Sequence, residues 1–266
     1  MQRIRDMVTA RPGSVNDPDS SGYTPLHLAV LNNYVPLMDW LKVHGANPNA
    51  RGLHGDTPLH VAVLSDHSSD GRLIVRLLGM GADVNGTNDY GDTPLHRAAY
   101  QGLTEKVRLL LRNKADVSAR AQRGETPLLS ASRPEGYPET VLALLEGGAE
   151  ANAADNFGMT PLHGAAMIGD VEVARVLVEK GHAELNAQSI DGSTPLHIAA
   201  MFGKADFIQF LLDKGADPEA RDHDNRTASE KAWRSPATSY SKDGAQPVDT
   251  SEAVSILKAH AAHSLP

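Results

Sequence analysis

Apolar residues recur in pairs of short helical runs along almost the whole chain, separated by polar loops that carry glycine. Between Asn88 and Arg120, Leu95, Ala98 and Ala99 mark one helix, which Gly102 ends. Val107, Leu110 and Leu111 mark a second, from Thr104 to about Arg112. Thr93 can cap the first helix with its hydroxyl, and Pro94 suits the first helical position, where no N–H is needed. Gly91, two residues before Thr93, supplies the positive φ a tight turn needs, and the seventh turn has Asn225 in its place. The alanine pair returns at Ala165-Ala166 and Ala199-Ala200, where it lets neighbouring helices approach closely. Second-helix sets return at Leu77-Leu78, Leu144-Leu145, Val176-Leu177 and Leu211-Leu212. Gly45, Gly81, Gly148, Gly181 and Gly215 are predicted to close these second helices as left-handed caps, with Lys114 replacing glycine in the third copy.

The pattern is periodic. Six stretches read Gly-x-Thr-Pro-Leu-(His/Leu), with threonines at Thr24, Thr57, Thr93, Thr126, Thr160 and Thr194, and a weaker copy follows at Thr227. A period near 33 residues means stacked small units, in which each hydrophobic face is buried against the next layer. Gly-x-Thr-Pro-Leu-His, followed by an alanine pair and a Leu-Leu/Gly-Ala-Asp-x-Asn ending, resembles the ankyrin repeat over essentially residues 4 to 235. The resemblance implies an all-α solenoid of helix–loop–helix units joined by β-hairpin-like loops. It also implies a concave groove lined by loop tips and inner helices.

Three repeats depart in length, with surplus residues in Ser65–Asp70, Arg133–Pro138 and His182–Glu184, all between helices, where insertion is tolerated. Repeat four departs most: Leu129 replaces the motif histidine, Ser130 and Ser132 dilute its inner helix, and Pro134 and Pro138 interrupt its turn. It is expected to be the least stable interior layer. Residues 1–17 read as a half-repeat or cap, 18–221 as six repeats, and 222–266 as a degenerate capping repeat with a polar insertion at 235–248. Asp249-Thr-Ser-Glu252 resembles a capping box opening a last helix, from Thr250 to about Ala262.

Composition narrows the functional classes. Lys plus Arg number 25 against 33 Asp plus Glu, so the net charge is −8 and no basic footprint for nucleic acid exists. Without cysteine, no disulfide or thiolate metal site is available. The N-terminus lacks an apolar signal core and no run approaches the ~18 residues of a membrane span. The expectation is therefore an intracellular chain, cytoplasmic or nuclear, that binds no membrane. Signatures of nucleotide binding, serine hydrolysis and zinc proteolysis are missing, so no catalytic, cofactor or metal residues are assigned. His27, His60, His96, His163 and His197 are motif histidines, expected to bridge the turn and the adjacent unit. His260 and His263 form an i, i+3 pair without a third ligand nearby in sequence, and a solvated face accounts for them. Asp222-His223-Asp224 opens like a calcium loop, but Trp233 occupies the place where a twelfth-position glutamate is required.

The positions that vary between repeats carry the functional expectation. Ankyrin-like proteins meet partners mainly through loop tips, the residue before the motif threonine, and the fourth and fifth residues after the motif histidine. Carried over, these positions put Phe157, Met159, Met167, Ile168, Ile190, Met201 and Phe202 at the surface of repeats five and six. Such exposed apolar residues mark an adaptable binding site. Repeats three and four offer Tyr90, Arg97, Tyr100, Arg123 and Arg133, residue types enriched where partners bind. The leading expectation is a monomeric scaffold that holds a partner protein or peptide. Two alternatives are a small apolar ligand or unconventional chemistry in the same groove, and an ankyrin segment of a larger receptor or effector.

Overall fold

The structure, a computed structural model, describes residues 2–65, 71–133, 136–234 and 249–263. It divides into two compact units, Met1–Gln122 and Arg123–Pro266. The described residues contain fifteen α-helices and no strand.

In the first unit, helix α1 (Gln2–Ala10) and a short 3-10 turn at Pro12–Asn16 precede three helix pairs. These are α2 (Pro25–Leu31) with α3 (Val35–Val43), α4 (Pro58–Ser65) with α5 (Arg72–Leu78), and α6 (Pro94–Tyr100) with α7 (Thr104–Arg112). In the second unit the pairs are α8 (Pro127–Ser132) with α9 (Pro138–Glu146), α10 (Pro161–Ile168) with α11 (Val171–Glu179), and α12 (Pro195–Met201) with α13 (Ala205–Asp213). Helices α14 (Ala228–Arg234) and α15 (Ser251–His263) close it. Within each unit the first helices form one row, α2–α4–α6 in one and α8–α10–α12–α14 in the other. The alanine pairs are fully buried in these rows, and leucines such as Leu26, Leu59, Leu95, Leu128, Leu162 and Leu196 point between layers. Each buried leucine stabilises by about 1.5–3 kcal/mol. The core is therefore a strip shared layer to layer.

Helix starts follow the threonine motif. His27 is representative: its Nδ1 accepts the Thr24 N–H at 3.2 Å and meets the Thr24 hydroxyl at 2.8 Å. The cap repeat uses Glu230 instead, whose carboxylate accepts the Thr227 N–H at 2.9 Å. At the turns, Gly91 has φ +77° and Asn225 φ +59°. A Cβ on Gly91 would stand 2.8 Å from the Gln122 backbone nitrogen, so both conformation and space favour glycine there.

Two expectations change. Lys114, which stands where the other copies have glycine, takes the left-handed conformation with φ 65°, but in repeat five that conformation belongs to His182, with φ 55°, rather than to Gly181. The extra residue after Gly181 moves the left-handed position along by one. Gly181 is instead required by space, since a Cβ there would lie 2.8 Å from both the Ala151 Cβ and the Leu177 carbonyl oxygen. The last helix begins at Ser251, where Asp249 accepts the Ser251 N–H at 2.9 Å. It packs on α13 and α14 through Ala253, Val254 and Leu257. Residues 66–70, Pro134, the stretch 235–248 and the side chains of Trp233 and His263 lie outside what the structure describes.

Candidate functional site

Three sets of hydrogen bonds hold the layers in register and fix which side chains reach the surface. In the first, the motif imidazole spans two repeats. With Nδ1 accepting from its own threonine, the proton sits on Nε2, which donates to the carbonyl just before the next motif threonine. His27 reaches Asp56 at 3.0 Å, His60 reaches Asp92 at 2.9 Å, His163 reaches Ser193 at 3.0 Å and His197 reaches Arg226 at 2.9 Å. Burial holds all four below the usual histidine pKa, although the carbonyl hydrogen bonds oppose it. They are structural, neutral imidazoles.

The second set is a ladder of asparagines eight residues before the motif threonine. The Asn16, Asn49 and Asn85 side chains accept the backbone N–H groups of Asn47, Asp83 and Asp116, at 2.7, 2.7 and 2.8 Å. Asn152 and Asn186 do the same for Glu184 and Asp217. Sequence reasoning noted these asparagines only as part of the loop ending. Their fixed offset from the threonine was the available signal. The third set links loop tips through the backbone: Asp89 to His54 and Gln122 to Tyr90 in the first unit, Asn156 to Arg123, Ile190 to Phe157 and His223 to Asp191 in the second.

On this frame the side chains expected to meet a partner separate into two kinds. In the first unit Tyr90 and Tyr100 are exposed, with Tyr90 tilted against His54 at a ring separation of 6.0 Å. Arg97 is instead held between Asp56 at 3.2 Å and Asp92 at 3.6 Å. In the second unit Arg133 lies 2.7 Å from both Glu125 and Asp155, and the Asp155 side chain is wholly buried. The Arg133 stem crosses Gly164, where a Cβ would come within 3.3 Å of it. Both arginines are therefore parts of ion networks linking successive repeats, and charge alone in the sequence could not reveal their partners.

The apolar positions of repeats five and six do face outward. Phe157, Met167, Ile168 and Ile190 are exposed, Ile190 at 70 %, while Met159, Met201 and Phe202 are half-buried. Arg123 is exposed beside them in the chain of loop tips. A second ion network borders this patch. Lys231 lies 2.9 Å from Asp191 and 3.2 Å from Asp222 and contacts the Ser193 hydroxyl. Arg226 pairs with Asp222 and Asp224. Burial pushes the Asp222 carboxyl up, but hydrogen bonds from Arg226 and Lys231 outweigh it and bring it down to about 2. Asp191 is likewise held far below the usual carboxylate range, with hydrogen bonds from Ser189, Lys231 and Ser193 overcoming the cost of burial.

Three cavities lie away from the apolar patch. One of about 760 Å³ runs between α3 and α5 beneath the exposed Val43 and Val75, which sequence reasoning did not single out. One of about 500 Å³ lies between the last loop and α15, and one of about 160 Å³ lies beside Tyr23 and Leu28. No residue of the patch lines any of the three. Among the described residues no helix is long and apolar enough to cross a membrane.

Comparison with known families agrees with this architecture. Residues 68–155 and 129–222 match a family model described as ankyrin repeats (3 copies), and residues 7–70 match one described as ankyrin repeats (many copies). No curated protein matches the chain.

Proposed function

Because the chain belongs to the ankyrin-repeat family, we propose that it is an interaction scaffold that docks a partner protein or peptide on the inner-helix and loop-tip face of its second unit. Ankyrin repeats are generally protein–protein interaction modules. The observation that supports this choice of face is the apolar cluster of repeats five and six. Phe157, Met167, Ile168 and Ile190 leave apolar surface in water, from 36 % of Met167 to 70 % of Ile190. Apolar area left in water gains free energy only when a partner covers it. Methionine adapts its shape to that partner, and Phe157 supplies a rigid anchor.

In the first unit, Tyr90 and Tyr100 offer a smaller polar-aromatic surface. Arg97 and Arg133 act here as supports that keep their loops in place, not as free hot spots, while Arg123 remains available to a partner.

The test is affinity capture from host cells with the wild-type chain and with Met167→Glu plus Met201→Glu. Two charges in the apolar patch are expected to lower the affinity of captured partners at least tenfold while the thermal transition is retained. Partners retained at unchanged affinity mean the face is wrongly assigned.

A further inference from the structure

The loop tips of the second unit carry an ordered change of character. Three residues before each motif threonine stand Arg123, Phe157, Asp191 and Asp224, in successive repeats. Backbone hydrogen bonds join these tips in series, Asn156 to Arg123 at 2.9 Å, Ile190 to Phe157 at 2.8 Å and His223 to Asp191 at 2.9 Å, so the four side chains form one row. Arg123 is exposed, Phe157 is 51 % exposed, and the Asp191 and Asp224 side chains are 59 % and 71 % exposed. Along the row, the side chains are cationic, apolar, anionic and anionic. Lys231 touches Asp191 and Arg226 touches Asp224, but with the buried Asp222 these two cations face three carboxylates, so that end keeps an excess negative charge.

We propose that the second unit docks an extended, amphipathic partner segment whose side chains run acidic, apolar, basic, basic against this row. The proposal rests on the docking reading above and specifies its ligand. Layers in such a stack are separated by about 8–10 Å, and an extended chain rises about 3.3 Å per residue. Matching anchors therefore fall about every third residue, as in Asp-x-x-Leu-x-x-Lys-x-x-Lys.

Charge complementarity selects this occupant over an acidic one. Residues 123–266 hold 12 of the 25 Lys plus Arg but 21 of the 33 Asp plus Glu, a formal charge of −9, while residues 1–122 hold the remaining 13 and 12. The acidic field of the whole chain thus belongs to the unit that bears the apolar patch, and it draws cationic segments towards it. The other cations near the row are outnumbered by carboxylates: Arg133 lies between Glu125 and Asp155, and Arg226 and Lys231 share the three carboxylates of Asp191, Asp222 and Asp224. An anionic segment would have to break those pairs to gain a partner.

The test uses the full chain and three fluorescent synthetic peptides in an anisotropy titration. The first carries Asp-x-x-Leu-x-x-Lys-x-x-Lys on a Gly/Ser background, the second replaces both lysines by glutamate, and the third moves the leucine to the first position. The first is expected to bind at least tenfold more tightly than either other, with affinity falling as salt rises. Asp224→Lys is expected to weaken the first peptide about threefold and strengthen the second, with an unaltered thermal transition confirming the fold. Equal affinities for the three peptides, or indifference of the first two to Asp224→Lys, overturns the inference. If those equal affinities are nevertheless lost in Met167→Glu, the docking face stands and only the charge order fails. If Met167→Glu weakens no peptide, the docking face fails as well.

Discussion

Lys231 places its ammonium 3.2 Å from the carboxylate of Asp222, whose side chain is only 1 % exposed, and so ties the first helix of the cap to its own loop. The same ammonium reaches Asp191 in the loop of repeat six, so one lysine fastens the last two layers together. Truncating one partner of a buried pair leaves the other charge uncompensated. Arg226 still faces Asp222, which softens the loss. Lys231→Ala is therefore expected to destabilise the chain by ~2 kcal/mol in urea unfolding. Adding Asp222→Asn to that variant should recover part of the loss. A double variant as unstable as the sum of the two single changes would show that the pair does not interact.

The inter-repeat histidines make stability depend on pH. Burial lowers the native pKa of His27, His60, His163 and His197, while the unfolded chain titrates near about 6.5. Below that pH the unfolded state binds more protons than the native state, so stability falls as pH drops through 6.5 towards the native values. Above pH 7 these groups contribute no slope. Asp222, with its carboxyl at about 2, adds a loss only in the acid range between its ordinary value and pH 2. The melting temperature is expected to be level between pH 7 and 8 and to fall steadily from pH 6.5 to 5. A level profile across that lower range would refute the neutral-imidazole assignment.

Repeat four lacks this histidine. Leu129 is buried in its place, and the Thr126 hydroxyl accepts the Leu129 N–H at 3.3 Å with no imidazole to reach into the next layer. The serines are satisfied locally, Ser132 by the Leu128 carbonyl and Ser130 by Glu125. Each absent inter-repeat bond removes ~1 kcal/mol. Amides of α8 are expected to exchange with solvent about fivefold faster than those of α10. Equal protection of the two helices would mean that the Arg133 network fully replaces the histidine link.

Gly181 tests whether space or backbone conformation selects glycine at that helix end. A Cβ at this position would press on Ala151 and the Leu177 carbonyl, which leave no room for a methyl group, although the glycine's φ is not left-handed. Gly181→Ala is expected to cost about 1–3 kcal/mol through overpacking, read as a shift of the denaturation midpoint. A neutral effect would mean that the 181–184 loop relaxes freely.

Much of this fold is legible in the residues themselves. The threonine-proline starts, the glycine turns and the paired apolar runs are local or nearest-neighbour devices, so a periodic sequence states them over and over. Even the single Asn225, standing in the turn where the other copies have glycine, announces its left-handed backbone. The role of the motif histidines follows from the same logic, because each imidazole serves its own turn and the layer beside it.

The sequence alone determined the repeating unit, its stacking and the apolar character of repeats five and six, since hydrophobic period and turn chemistry act over a few residues. Only the tertiary structure decided which charges are paired within the fold and which face solvent. Arg97 and Arg133 looked as available as Arg123, yet their carboxylate partners include residues a repeat away in the chain that become neighbours only when the layers stack. The need for glycine at 181 has the same origin: its φ is not left-handed, and it is the closeness of Ala151 in the preceding layer and of the Leu177 carbonyl that leaves no room for a side chain.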